Sequence, residues 1–234
     1  MVQRPGGGLS ARPLHFIWIC DCSGSMSVEG KIQTLNTAIR EAIPHMQAVA
    51  HENPNARVLV RAVRFSSGAA WHVPDPMPLE SFEWPDLKAE GVTDMGRAMH
   101  LVADQLQMPP MPERALPPVL VLITDGQPTD DYAGGVRAIL AQPWGRKAVR
   151  LAIAIGEDAD PECMEKFIGN PEIRPLHANN PEALVDYIQW VSTAVLSAAS
   201  APASQSEGDT PGTNVPLPPP PRVDEGPAGA DDVW

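Results

Sequence analysis

Residues 14–25 read Leu14-His15-Phe16-Ile17-Trp18-Ile19-Cys20-Asp21-Cys22-Ser23-Gly24-Ser25. The first seven are rich in aromatic and β-branched side chains, which favours a buried β-strand over an amphipathic helix. A polar loop follows from Asp21 to Gly30, and from Lys31 to Met46 apolar residues recur at helical spacing. The folded part of the chain is therefore predicted to begin as strand, loop and helix, with an acidic residue directly after the strand.

Strands and helices alternate along the rest of the chain. The clearest further strand is Val119–Thr124, which is apolar almost throughout and is followed at once by Asp125. Residue patterns predict other strands at 57–65, 69–73, Val149–Ile155 and 173–177, an irregular connection at 74–91, and helices at 93–106, Tyr132–Ala141, Pro161–Ile168 and 181–197. This alternation predicts an α/β fold with a doubly wound, mostly parallel central sheet and helices on both faces. Ligands bind such sheets at the carboxyl ends of the strands, where Asp21 and Asp125 both lie.

The composition divides the chain into one domain at 14–197 and two flanking segments. Residues 1–13 contain glycine and arginine rather than an apolar run, and we expect them to be flexible. Residues 198–234 contain few large apolar side chains and the run Pro216-Leu217-Pro218-Pro219-Pro220-Pro221-Arg222, which predicts a disordered tail with polyproline II character. The tail ends in Asp231-Asp232-Val233-Trp234. Two interpretations of this acidic end stay open: a solvated, disordered terminus, or a segment that docks on a partner or back on the candidate site at Asp21 and Asp125.

Charge and cysteine content narrow the classes of function. The formal net charge is −12, from 29 acidic and 17 basic residues, so the chain repels nucleic acids and anionic membrane surfaces. The first apolar run, 14–20, is far too short to span a bilayer, and no signal peptide is visible. Three cysteines in a chain of this length do not make a disulfide framework. We therefore expect a cytoplasmic protein that binds neither nucleic acid nor membrane.

Oxygen-bearing side chains occupy alternate positions in the loop after the first strand, namely Asp21, Ser23 and Ser25. Carboxylate and hydroxyl oxygens suit a hard divalent cation, and Mg²⁺ in particular prefers octahedral oxygen coordination and keeps several waters. Gly24 permits the tight backbone path that brings the two hydroxyls together. By itself the motif is also typical of a helix-capping turn.

In these residues the chain resembles the von Willebrand factor A domain. That family's metal-ion-dependent adhesion site reads Asp-x-Ser-x-Ser, followed by a distant threonine and by a distant aspartate after an apolar strand. Asp21, Ser23 and Ser25 match the first part, Thr93 in Gly91-Val-Thr-Asp-Met-Gly96 the second, and Asp125 in Leu122-Ile-Thr-Asp-Gly126 the third. The resemblance covers 14–197. It implies that the Ser23, Ser25 and Thr93 hydroxyls contact a divalent cation, with Mg²⁺ expected and Ca²⁺ or Mn²⁺ as alternatives. It also implies that Asp21 and Asp125 act directly or through water, and that an Asp or Glu of a protein partner completes the shell.

Within that family, the stretch 65–98 looks most like bacterial tellurium-resistance-type proteins. This likeness implies an adaptor or scaffold in a bacterial stress-response or signalling system, alongside a protein kinase and a protein phosphatase. One departure is Asp94, where many family members carry a small or uncharged residue. Its carboxylate could strengthen cation binding or point away, and the sequence leaves both open.

Two other functions compete with metal-dependent binding. A metal-free scaffold would keep the fold while Asp94 or the tail fills the cation site. An aspartate-nucleophile phosphatase needs a second carboxylate two residues after the nucleophile, where Ser23 stands. A serine hydrolase would often show Gly-x-Ser-x-Gly, from which Gly24-Ser25-Met26-Ser27 departs. We therefore expect a binding module rather than an enzyme.

Three further features are interpreted as structural. Cys22 is expected to pack as a small apolar side chain rather than to act as a ligand or redox group. The pair Asp130-Asp131 is expected to form the acidic start of a helix rather than to surround the metal. The histidines are scattered singly, and no two stand at zinc-ligand spacing beside a cysteine.

Overall fold

The computed structural model describes residues 11–201 and 215–222. Within these residues the centre is a six-stranded sheet formed by β1 (Arg12–Asp21), β2 (Ala56–Ser66), β3 (Gly68–Pro78), β4 (Val119–Thr124), β5 (Val149–Ile155) and β6 (Leu176–Ala178). The strand order is β3-β2-β1-β4-β5-β6, and every neighbouring pair is parallel except β2–β3. The predicted α/β class with a mostly parallel central sheet is confirmed.

Helices cover both faces of this sheet. In chain order they are α1 (Lys31–Glu52), α2 (Met95–Gln105), α3 (Tyr132–Ala141), α4 (Pro143–Lys147), α5 (Pro161–Ile168), α6 (Pro181–Trp190) and, after the π-helical turn Val191–Val195, α7 (Leu196–Ser200). One apolar cluster contains side chains of α1, α6 and α7, and a second contains side chains of α2, α3 and α5. None of the described helices combines the length and the apolar character needed to cross a membrane.

β1 shows why its sequence is apolar at nearly every position. Phe16 and Trp18 belong to the cluster that contains α1 and α6, whereas Ile17 and Ile19 belong to the cluster that contains α2 and α3. Successive side chains of a strand point to opposite faces of the sheet. The strand is covered on both faces, so both sets of side chains must be apolar.

The strand order reverses between β1 and β4. From β1 the chain moves to β2 and β3 on one side, and it then crosses to β4 on the other side. Such a switch point leaves a crevice outside the carboxyl ends of the two strands. Because β1 and β4 are parallel and Cys20 pairs with Ile123, Asp21 and Asp125 both lie at this crevice.

Three secondary-structure predictions need correction. β3 extends to Pro78, into the segment 74–91 that was predicted to be irregular. An edge strand accommodates the prolines of this segment because its outer N–H positions need no partner strand. The last strand is Leu176–Ala178 rather than 173–177. The short helix α4 was missed, because five residues are too few to show a helical period.

Regular secondary structure extends slightly beyond residues 14–197, and the domain limits themselves stay a prediction. β1 begins at Arg12, within the segment 1–13, and α7 ends at Ser200, beyond 197. From the predicted disordered tail, Val215 and Leu217 pack against the cluster that contains α1 and α6. The prolines of this segment lack a backbone N–H, so few donors lose water when its apolar side chains pack. The acidic end of the tail lies outside the described residues.

Candidate metal-binding site

Asp21 is the last residue of β1 and is completely buried. Its Oδ1 accepts a hydrogen bond of 2.7 Å from the Ser23 amide, and its Oδ2 accepts one of 2.5 Å from the Thr124 hydroxyl at the end of β4. Sequence reasoning missed Thr124 as a site residue. Its partnership with Asp21 arises only when β4 pairs with β1, so nothing local in the sequence indicates it.

The buried carboxyl group of Asp21 is electrostatically unfavourable in its charged form. Burial raises its pKa to about 6, opposed by the hydrogen bonds from Thr124 and Ser23, and the neighbouring charge of Asp125 raises it further. An adjacent positive charge favours the ionised form of such carboxyls. The pair of aspartates therefore forms an environment that is stabilised by a cation.

Ser23, Ser25 and Asp125 form a chain of hydrogen bonds. The Ser25 hydroxyl donates to Asp125 Oδ1 over 2.7 Å, and Ser23 Oγ lies 3.0 Å from Ser25 Oγ. Ser23 and Asp125 are buried, whereas Ser25 is exposed. The chain of oxygens thus leads from the interior of the crevice to solvent.

Thr93 is brought to the same crevice by the loop before α2. The Gly24 amide donates to the Gly91 carbonyl over 3.0 Å, which joins this loop to the first motif. Thr93 is buried, and a Cβ built on Gly126 would lie 3.7 Å from its hydroxyl oxygen. The structure therefore brings together all of the predicted site residues: Asp21, Ser23, Ser25, Thr93 and Asp125.

Lys31, the first residue of α1, is a further member of this cluster that sequence reasoning missed. Its ammonium donates to Asp125 Oδ2 over 3.0 Å, and its side chain is only 9% exposed. A lysine in the first turn of a helix is disfavoured by the helix dipole, and this unusual position is the one signal in the sequence that could have drawn attention to it. With Ser25 on Oδ1, both carboxylate oxygens of Asp125 have a donor.

The side chain of Asp94 accepts hydrogen bonds from two other segments, the β2–β3 turn and the loop after β4. Its Oδ2 accepts a hydrogen bond from the Gly68 amide over 2.8 Å, and its Oδ1 accepts one from the Thr129 hydroxyl over 3.1 Å. Thr129 Oγ1 also accepts a hydrogen bond from the Thr93 amide over 3.2 Å. Of the two alternatives left open by the sequence, these contacts oppose a direct contribution to cation binding, because both carboxylate oxygens accept hydrogen bonds from other loops.

The acidic pair Asp130-Asp131 caps two different helices. Asp131 precedes α3 and accepts a hydrogen bond from the Gly134 amide over 2.9 Å, as the helix-start interpretation predicted. Asp130 instead accepts hydrogen bonds of 2.7 and 2.8 Å from the amides of Gly96 and Arg97, in the first turn of α2. The loop after β4 therefore fixes the start of the helix that follows Thr93.

The remaining candidate side chains do not add ligands. Cys22 is completely buried in the apolar cluster with α1, and burial raises the pKa of its thiol to about 12. This environment agrees with a packing role. Across residues 11–201 and 215–222, no three His, Cys, Asp or Glu side chains form a group that could hold a metal ion. Any cation at the crevice would therefore rely on hydroxyl oxygens as well as on the two aspartates.

The chemistry of this donor set suits a hard divalent cation. It combines three hydroxyls with two carboxylates, it lacks sulfur and nitrogen donors, and it opens to solvent at Ser25. Oxygen ligands in small number, with room left for water or an incoming carboxylate, match the coordination that Mg²⁺ prefers. The ammonium of Lys31, which is paired with Asp125, opposes the binding of a cation.

Several solved structures share the fold of this chain. They include the ArnB paralog VWA2 from Sulfolobus acidocaldarius, at 18% identity and a TM-score of 0.57, with 76% of this chain and 45% of that chain covered. A second is the von Willebrand factor type A protein from Catenulispora acidiphila, at 18% identity and a TM-score of 0.57, with 80% of this chain and 43% of that chain covered. A third is proximal thread matrix protein 1 of the mussel byssus, solved with zinc in its metal-ion-dependent adhesion site (MIDAS) motif. It matches at 14% identity and a TM-score of 0.59, with 78% of this chain and 48% of that chain covered. The chain thus spans less than half of the length of each of these proteins.

Sequence comparison assigns the family. No similar sequence was found among curated proteins. The model of the von Willebrand factor type A domain matches residues 17–189, which include the whole crevice and most of the sheet. With the strand order and the solved structures in agreement, this chain belongs to the von Willebrand factor type A domain family.

Proposed function

We propose that this domain is a metal-ion-dependent protein-interaction module that binds an acidic side chain of a partner through a cation at the β1–β4 crevice. The observation that carries the proposal is the juxtaposition of three hydroxyls and two buried aspartates at the switch point of the sheet. The mussel protein with a zinc-occupied motif on the same fold supports it.

In this proposal each residue has a distinct task. The hydroxyls of Ser23, Ser25 and Thr93 would hold the cation, and Asp21 and Asp125 would balance its charge. The cation would supply an open coordination position for a carboxylate oxygen. We further propose that the domain binds and does not catalyse, because in the described contacts the carboxylate that accepts from the Ser25 hydroxyl, Asp125, is also paired with the Lys31 ammonium, which weakens it as a base. The nearest carboxylate, Asp125, already accepts one hydrogen bond from Ser25 and another from Lys31.

Lys31 favours a second candidate, a metal-free scaffold. Its ammonium already neutralises Asp125, as a bound cation would do. Asp94, by contrast, is engaged with Gly68 and Thr129. If the scaffold alternative holds, Lys31 rather than Asp94 or the tail is the group that replaces the metal.

Thermal unfolding in the presence of cations distinguishes the two candidates. After chelator treatment, the wild-type chain is titrated with Mg²⁺, Mn²⁺ and Ca²⁺, with and without acetate as a stand-in for the partner's carboxylate. A cation at about 100 times its dissociation constant stabilises the folded state by about 2.7 kcal/mol, which corresponds to about 5–10 °C for a domain of this size. Ser25→Ala should abolish that response.

Ser27→Ala is the matched control. Ser27 is an exposed hydroxyl in the same loop, and it donates to the Gly24 carbonyl rather than to an aspartate. It should respond to cations as the wild type does. An unchanged midpoint with every cation, with and without acetate, contradicts metal-dependent binding and supports the scaffold.

The biological setting is also a proposal. The residues around Thr93 resemble tellurium-resistance-type proteins, and on that basis we propose a cytoplasmic adaptor in a bacterial stress-response system with a kinase and a phosphatase as partners. The acidic character of the chain, with a net charge of −12, argues against nucleic acid and anionic membranes as partners. Co-purification from the native cell with and without chelator tests this: kinase and phosphatase should be lost with the chelator, and their absence from both samples contradicts the proposed partners.

A further inference from the structure

A small polar cavity lies beside the metal-binding crevice, at the turn between β2 and β3. Its volume is about 200 Å³, and it is lined by Arg64, Ser66, Ser67, Gly68, Ala69, Ala70 and Arg97. The lining contains two guanidinium groups and two hydroxyls and no carboxylate. In a chain with a net charge of −12, two arginines at one cavity, of which Arg97 is paired with Asp94, make the surface there locally less acidic.

Arg64 is the central residue of this cavity. It lies in β2 opposite Ala70 of β3 and is half-buried. Among residues 11–201 and 215–222, its guanidinium has neither an ion-pair partner nor a hydrogen-bond acceptor. A half-buried guanidinium without a bound acceptor retains its capacity to donate several hydrogen bonds to a ligand.

Arg97 and Ser67 complete the donor set. Arg97 projects from the first turn of α2 with its side chain 69% exposed, and its Nε lies 3.6 Å from Asp94 Oδ2. That distance is too long for a strong hydrogen bond, so the remaining guanidinium donors are available. Ser67 accepts a hydrogen bond from the Val92 amide, which leaves its hydroxyl proton free to donate.

The chemistry of this lining selects one class of ligand. Guanidinium groups present planar, forked donors that match the oxygens of a phosphate in pairs. Two such groups with two hydroxyls provide more donors than a single carboxylate can accept, whereas a phosphate monoester offers three acceptor oxygens and up to two negative charges. We infer that this cavity, the Arg64–Arg97 pocket, is a binding site for a phosphate group.

The Arg64–Arg97 pocket is linked to the metal-binding crevice through Asp94. Asp94 follows Thr93 directly, and its amide donates to the Ser66 carbonyl over 2.9 Å while its carboxylate accepts from the Gly68 amide. One residue therefore connects the wall of the pocket to the metal-binding loop. A partner segment with a carboxylate and a phosphorylated side chain can contact both places, although phosphate binding itself does not rest on the metal.

The experiment is an amide chemical-shift titration of the full chain in chelator, so that its result is independent of the proposed metal. The probes are inorganic phosphate, an acetylated and amidated Gly-phosphoserine-Gly peptide, and its unphosphorylated form. Both phosphate probes should shift the amides of Ser67 and Gly68 in a saturable way. The phosphorylated peptide should bind at least about tenfold more tightly than the unphosphorylated one, a difference of about 1.4 kcal/mol.

Two variants and one control define the site. Arg64→Gln and Arg97→Gln should each weaken phosphate binding at least about tenfold, and Arg64→Lys should recover part of the loss for Arg64 because it restores the charge. Arg57→Gln is the matched control, since Arg57 lies exposed near the opposite end of β2, and it should bind as the wild type does. Equal thermal midpoints of these variants confirm that the fold is intact.

The outcomes separate the source of the phosphate. Saturation by inorganic phosphate but not by the peptide supports the pocket and assigns it to the free anion, whereas saturation by the peptide assigns it to a phosphorylated side chain. Shifts that grow without saturation, or that are unchanged in Arg64→Gln, overturn the inference.

Discussion

The ammonium of Lys31 lies 3.0 Å from Asp125 Oδ2, and the two side chains are 9% and 0% exposed. The ion pair joins the first turn of α1 to the loop after β4, across the crevice at which we propose that a cation binds. Breaking a buried pair leaves an uncompensated charge and is strongly destabilising. A divalent cation held by Asp125 would also be repelled by the neighbouring ammonium. The pair is therefore expected to raise the stability of the fold and to lower its affinity for a cation.

Replacing Lys31 should reveal both effects. In Lys31→Met we expect the free energy of unfolding of the metal-free chain to fall by about 3 kcal/mol, because the buried carboxylate of Asp125 loses the ammonium that neutralises it. Its affinity for Mg²⁺ should rise at least about tenfold, because the repelling charge is gone. Urea unfolding in chelator and calorimetric Mg²⁺ titration measure the two quantities.

Two further variants control this experiment. Lys88→Met removes a charge from an exposed lysine and should leave both quantities unchanged, while Lys31→Arg keeps the charge and should not raise Mg²⁺ affinity. If Lys31→Met binds Mg²⁺ no better than the wild type, the Lys31 ammonium does not compete with a cation for Asp125.

Asp21 should make the metal-free chain less stable as the pH rises. Its pKa is raised from 3.8 in the unfolded chain to about 6 in the fold, so the folded state binds more protons between these values. Stability from this group is fully present below about pH 4 and is lost as the pH rises through 6. Asp21→Asn removes the buried charge, and in chelator at pH 7.5 we expect it to be more stable than the wild type by on the order of 2 kcal/mol.

The difference between wild type and Asp21→Asn isolates this effect. His15, whose pKa is lowered to about 4 by burial and by Arg61, acts in the opposite direction, because its stability is lost as the pH falls from 6.5. It is present in both chains and cancels in the difference. The stability gap between the two chains, measured by urea unfolding, should be clearly larger at pH 7.5 than at pH 4.5, and an equal gap at both pH values contradicts the raised pKa.

Removal of the Asp130 cap should weaken both the fold and the site. Asp130→Ala deletes two hydrogen bonds to the first turn of α2, which should cost about 1–2 kcal/mol. Thr93 precedes this helix, so Mg²⁺ affinity should also fall. Asp131→Ala deletes the cap of α3 and should cost about 1 kcal/mol without changing affinity. Equal Mg²⁺ affinity of the two variants would show that the cap does not position Thr93.

The packing of α2 against α3 depends on a glycine at the contact. A Cβ on Gly96 would lie 2.5 Å from the Asp131 carbonyl oxygen, a backbone atom, whereas one on Gly134 would meet the side-chain carboxylate of Asp131. A side chain can rotate aside more easily than backbone, so Gly96→Ala should cost about 2–3 kcal/mol and Gly134→Ala about 1 kcal/mol. Urea unfolding of both variants checks the order, and a smaller loss for Gly96→Ala contradicts the close approach.

Much of the fold was predictable from local patterns. The runs of apolar residues at β1, β4 and β5 and the helical spacing after Lys31 are properties of short segments, and they determine strands and helices wherever one or both faces are buried. The three-part motif is likewise carried by residue types in order along the chain. These features sufficed for the α/β class and the doubly wound sheet, whereas the five candidate ligands followed from the family resemblance that the motif carries.

Contacts between distant segments were decided only by the tertiary structure. The strand order places Thr124 against Asp21, and the packing of α1 places Lys31 against Asp125. In the same way Asp130 caps a helix 34 positions earlier in the chain. No periodicity encodes such pairs, because a periodic pattern specifies which face of an element is buried but not which element covers it. The local sequence therefore supplied the oxygens of the site, and the assembly of strands and helices supplied the charges that surround them.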